Sequence, residues 1–275
     1  MKKERFIAGI YNTCDYWCQR CAFTQRCRNF AMGEELEREA SGEDISQDAT
    51  NAAFWNRLAE QVREKTIFGP AEAVAEEADF DLDLTPDPAW EAQHEAQRQA
   101  VRNHPLVRLA HDYRQHAGTW LQTANDDLQA VAQGLLAAAS SSFAEGDVEE
   151  EAREIGEMLE VIAWYHTLIP TKLGRAIQGL LEQADSHDGL SELLAESRRQ
   201  DAHGTGKVVL IAIERSIAAW VRLREILPKR EDELLDILAL LSRLQRGIRL
   251  ALPGAQNFQR PGFDVIPPDE ADDQA

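Results

Sequence analysis

The sequence predicts an all-α protein. It is expected to be an antiparallel bundle of about six to eight helices, with an N-terminal four-cysteine metal-binding segment and a disordered acidic C-terminal tail. Three observations lead there. Beyond Pro88, apolar residues recur at helical spacing and strand-like alternation is nearly absent. Prolines and glycines punctuate that pattern at intervals suited to helices joined by bundle-type connections. All four cysteines fall between Cys14 and Cys27.

The elements follow in order. Residues 1–47 are expected to be the cysteine-rich metal-binding segment, 48–254 the bundle, and 255–275 a flexible acidic tail. A helix is predicted from Asp48 to about Thr66, because Asp48 is a good N-cap and Phe54, Leu58 and Val62 share a face. Gly69-Pro70 then breaks the chain, and the acidic stretch at about 69–88 reads as a linker. Pro88 opens a helix that runs to about Asn103. Pro105 opens a longer one, which carries Tyr113, Trp120, Leu128 and Leu135 and ends at Ser140–Ser142. The next begins near Asp147, is kinked or restarted at Pro170, and continues to Leu181. Asp185–Gly206 is polar and reads as a connection with one short helix near Leu190–Glu196. An apolar helix over Lys207–Leu227 stops at Pro228, and a last one over Glu231–Leu252 stops at Pro253-Gly254.

Charge narrows the partners. The chain has 29 Lys+Arg against 48 Asp+Glu, a net charge of −19. That balance disfavours nucleic acid, whose phosphates call for clustered cations, and it disfavours anionic membrane surfaces. The first thirty residues run against the trend: Lys2, Lys3, Arg5, Arg20, Arg26 and Arg28 face only Glu4 and Asp15. With no apolar run of eighteen residues and no signal-peptide pattern, a cytoplasmic location is expected. Thiols there stay reduced, which favours metal over disulfide.

The spacing Cys14-x3-Cys18-x2-Cys21-x5-Cys27 therefore points to a shared cation, because thiolates repel one another unless a metal neutralises them. Zn2+ and a [4Fe–4S] cluster both suit it. Arg20, Arg26 and Arg28 could offset the negative charge, and Tyr11, Tyr16, Trp17, Phe23 and Phe30 could exclude water. Cys18–Cys27 resembles the end of the iron–sulfur loop of endonuclease III-type DNA glycosylases. The likeness spans that loop alone, without the family's helix-hairpin-helix motif. Cys14, Cys18 and Cys21 also resemble the C-x3-C-x2-C of radical SAM enzymes, with Arg20 where those have an aromatic residue. Each resemblance implies a [4Fe–4S] cofactor.

Two apolar helices carry charges. Glu160 and His166 lie in one, Glu214 and Arg215 in the other. A carboxylate buried alone is costly, so a core pocket would need cationic partners. Glu160, His166 and Glu214 are the catalytic candidates, and Lys172, Arg175, His203, Lys207 and Arg215 the candidates for holding a small anion. His203-Gly-Thr-Gly-Lys207 reads as a glycine-rich stretch ahead of a helix N-terminus, where free N–H groups could hold that anion. The leading functional expectation is a metal-binding module that acts on a protein partner in a binding or regulatory role. The alternatives are an enzyme with its site in the bundle core, and an iron–sulfur redox sensor or electron-transfer protein.

Overall fold

A computed structural model describes residues 6–41, 88–139, 145–182 and 189–264. The expected helix at 48–66, the linker at 69–87 and tail residues 265–275 lie outside the described residues. The chain divides into two compact units, Met1–Cys27 with Gln93–Ala275, and Arg28–Ala92. Among the described residues no β-strand occurs, and no helix is long and apolar enough to cross a membrane.

In the second unit, α1 spans Arg28–Ser41, inside what the sequence reading treats as cysteine segment. α2, Pro88–Asn103, opens with Pro88 at a position where a missing N–H costs nothing. In its later turns Glu95 holds both Arg98 and Arg102. His104 then caps α3 (Pro105–Thr123), its side chain accepting the Leu106 N–H at 3.3 Å. Val107, Ala110, Tyr113, Ala117 and Trp120 form the buried face of α3. Ala124 separates α3 from α4 (Asn125–Ala139), where the sequence suggested one helix. The break is slight, since backbone bonds Ala124 N to Trp120 O and Leu128 N to Ala124 O bridge it, each at 2.9 Å.

Two 38-residue helices come next, α5 (Glu145–Glu182) with Pro170 inside it, and α6 (Gly189–Ile226). α7 (Glu231–Ala251) starts with Glu231, Asp232 and Glu233 and ends near Arg249, charges that suit the helix dipole at each end. A short turn, α8 (Gly254–Asn257), closes the order. Its Ala255 is fully buried, so residues 254–264 are built into the fold where a flexible tail from 255 was expected.

Cross-helix pairs set the directions. Glu154–Arg222 and Arg175–Asp201 join opposite ends of α5 and α6, which therefore run antiparallel. Glu214–Arg249 and Arg224–Glu231 do the same for α6 and α7. At the centre Trp120 and Trp220 meet edge to face at 4.9 Å, and Trp220 Nε1 donates to the Tyr113 hydroxyl. Fully burying a large apolar side chain contributes about 1.5–3 kcal/mol, so each side chain of this layer, Ile162, Ile213 and Leu241 included, adds to stability on that scale.

The path of α6 corrects the expected polar connection at 185–206. Residues 189–206 are helical, and the glycines serve packing instead of a loop. A Cβ on Gly204 would lie 2.7 Å from Thr13 Cγ2 and 3.0 Å from Phe258 Cζ. One on Gly206 would lie 3.1 Å from Ala255 Cβ. Only glycine lets the N-terminal segment and the last described turn approach the helix so closely.

Candidate functional site

The cysteine segment is a chain of short 3-10 turns, Ile10–Thr13, Cys18–Arg20 and Thr24–Arg26. Ile7 N donates to Arg26 O at 3.0 Å and closes it into a loop. Ile7 and Ile10 are buried, pressed close to Gly262, whose φ of 77° is open to glycine alone at little cost. Tyr16 has φ 56°, the one described non-glycine residue in that region. This conformation costs a bulky L-residue about 1–2 kcal/mol, and Trp17 (φ −83°, ψ 70°) follows it with an inverse γ-turn in which Cys18 N reaches Tyr16 O at 3.0 Å. Such strain collects at functional sites.

Asp15 fastens the segment to the bundle. The Tyr165 hydroxyl donates to its Oδ2 at 2.7 Å and Arg215 to the same oxygen at 3.2 Å. Trp164 Nε1 donates to its backbone carbonyl at 3.0 Å. Trp17 lies on Trp164, centroids 5.3 Å apart and planes at 16°, and meets Tyr165 edge-on. Burial, reinforced by the Asp15 carboxylate, pushes Tyr165 up to about 12.

The four cysteines are free and partly buried. Cys14, Cys18 and Cys21 lie in the loop that the Ile7–Arg26 bond closes, and Cys27 directly follows it. Burial pushes the Cys14 and Cys18 thiols up, and the neighbouring sulfurs add to the effect. Among the described residues, no three His, Cys, Asp or Glu side chains already stand together as a set for one ion. Beside Cys14 sits Lys172, only 4% exposed, its Nζ 4.2 Å from the centre of the Tyr16 ring and without a hydrogen-bond partner. Burial pushes this ammonium down, while Cys14 favours its charge.

A cavity of about 420 Å³ opens next to Cys21. Trp17, Phe23 and Phe263 supply aromatic walls, and Arg20, Arg215 and Arg260 reach it from three parts of the chain. No protein family matches the chain, and no curated protein or solved structure matches it.

The other sequence candidates divide. Lys172 and Arg215 meet the cysteine segment. Arg175 lies near Tyr16 and grips Asp201 through two bonds of 3.0 and 2.7 Å. Glu160 and Glu214 are exposed, on separate partners: Glu160 pairs with Arg20, and Glu214 with Gln245 and Arg249. His166 turns its Nδ1 to the Ala163 carbonyl in the opposite groove, near Gly118. These three do not share a core pocket, because each points outward from its helix. His203 packs on Gly254, and the Lys207 ammonium donates to Gln256 O at 2.9 Å, so the expected anion site at 203–207 dissolves into helix interior. Asp15, Trp164, Tyr165, Arg260 and Phe263 escaped the sequence reading as site residues. The adjacent Trp164-Tyr165 pair on an otherwise aliphatic helix face was their one signal.

Proposed function

We propose that residues 6–27 form a four-thiolate metal module and that the protein acts by presenting this module to a protein partner. Cys14, Cys18, Cys21 and Cys27 would be the ligands. The observation that carries the proposal is the buried Lys172 ammonium beside Cys14, unpartnered by any hydrogen bond. A buried cation of that kind calls for an anion, and a thiolate held in a metal centre is one. Three of the cysteines lie in the loop that the Ile7–Arg26 bond closes and Cys27 adjoins it, and metal binding there would release the thiol protons.

Four cysteine thiolates suit either a single Zn2+ or a [4Fe–4S] cluster. When bound, the cluster would supply one-electron chemistry or a redox-sensitive fold. The chain's own part is to bind it, shelter it with Trp17 and Phe23, and balance its charge with Lys172.

The test is anaerobic purification of the full chain, followed by its visible spectrum and assays for iron, acid-labile sulfide and zinc. Either a brown protein with iron and sulfide in equal amounts or a colourless one with one zinc is expected, together with recovery of one partner that a Cys18→Ser/Cys21→Ser variant fails to recover. A chain with neither iron nor zinc in stoichiometric amount would overturn the proposal.

A further inference from the structure

The cavity beside Cys21 has walls of two kinds, and they occur together. Three guanidinium groups line it, and Asp15 is the only carboxylate among its lining residues. In a chain of net charge −19 this is a local reversal of sign. Each guanidinium has donors left over. A guanidinium offers five N–H groups. Among the described residues Arg215 uses NH1 alone, for Asp15 and Tyr165. Arg260 uses Nε and NH2 for Asp264, and Arg20 uses NH2 for Glu160.

The aromatic walls hold these cations in place. Arg20 lies over Trp17 at 4.4 Å and Arg260 over Phe263 at 4.8 Å. Phe23 meets Phe263 edge-on at 5.2 Å, which makes an apolar corner beneath them. Stacked guanidiniums lose little freedom when they bind an oxyanion. The Arg20–Glu160 pair is 40% and 63% exposed, so a ligand displaces it at small cost. A volume near 420 Å³ falls within the range of about 300–1,000 Å³ that takes a small molecule.

We infer that this cavity binds a small aromatic oxyanion, a ring carrying a carboxylate or a phosphate, with the oxyanion on Arg20, Arg215 and Arg260 and the ring against Phe23 and Phe263. It goes beyond the metal module, since none of its donors is a thiol. The shared chemistry is a flat apolar body with two or three adjacent acceptor oxygens, which suits the fork of an arginine.

The test is isothermal titration calorimetry of the full chain with phenyl phosphate and with benzoate, against inorganic phosphate and benzyl alcohol. Saturable binding of at least one ring oxyanion, tighter than either control, is expected, and comparison of the two ring probes tells phosphate from carboxylate. Arg260→Gln should weaken that binding about tenfold or more, because a hydrogen bond to a charged group is lost. Arg20→Gln reports the same from an exposed position if Arg260→Gln unfolds. Phe263→Leu should reduce the advantage of the ring probes over inorganic phosphate. No saturable binding of either ring probe, or binding indifferent to both arginine variants, overturns the inference. Iron, zinc and sulfide measured on the same samples separate the two proposals: a loaded chain that ignores both probes defeats this one alone, and probe binding by a metal-free chain supports it while the metal module fails.

Discussion

Trp17 stacks on Trp164 with ring centroids 5.3 Å apart and planes at 16°. The contact joins residues nearly 150 positions apart and lies alongside the Asp15 carbonyl that Trp164 also binds. It is an apolar contact between the cysteine segment and α5. Trp17→Ala should lower stability by about 2–3 kcal/mol, the low end for a large aromatic because Trp17 is only half-buried. Urea unfolding measures the loss, and trypsin should cut within residues 6–27 faster. Unchanged values for both would mean the stack holds nothing.

Lys172→Met separates the metal-free from the loaded protein. In the metal-free chain the substitution removes a buried charge that no hydrogen bond satisfies, and stability should rise by about 1–3 kcal/mol. Metal or cluster retention should fall, because the cation beside Cys14 is gone. Thermal melts before and after loading test both halves. A metal-free variant less stable than wild type would contradict the role given to Lys172.

Tyr165 sets an alkaline limit. Its folded value, pushed up to about 12, lies above the ordinary tyrosine value of about 10, so the protonated hydroxyl favours the folded state. The stability it contributes is complete below pH of about 10 and is lost as pH rises through about 12. Tyrosinate absorbance, compared with Tyr165→Phe, should reveal this late titration. Asp15→Asn should bring it earlier, though burial keeps it above an exposed tyrosine.

The glycines of α5 and α6 should respond in opposite ways. Gly156 is exposed with nothing within 4 Å of a built Cβ, so Gly156→Ala should gain up to about 1 kcal/mol of helix propensity. Gly204→Ala forces a methyl against Thr13 and Phe258 and should cost about 1–3 kcal/mol net. Melting temperatures of the two variants give the comparison, and a stabilised Gly204→Ala would remove the close-packing explanation.

Much of the helical frame was legible in the sequence. Pro88, Pro105, Pro228 and Pro253 mark boundaries that the structure keeps within a residue or two, because a missing N–H and a fixed φ act locally. Gly204 and Gly206 misled for the complementary reason. Glycine signals a turn by default, and its use as a gap between packed elements depends on what lies opposite, here Thr13 and Ala255, which no local window contains. The same limit governs the site. Four clustered cysteines stand out at once, whereas Asp15 becomes notable only when Tyr165 and Arg215 arrive beside it from two other helices.

The closed loop of residues 6–27 depends on distant partners: Asp15 on 165 and 215, Thr13 on Gly204, Ile7 and Ile10 on Gly262. Synthesis runs from N- to C-terminus, so this stretch is made well before the residues that seat it. Its sulfurs thus wait for shelter until Tyr165, Gly204, Arg215 and Gly262 have all been made.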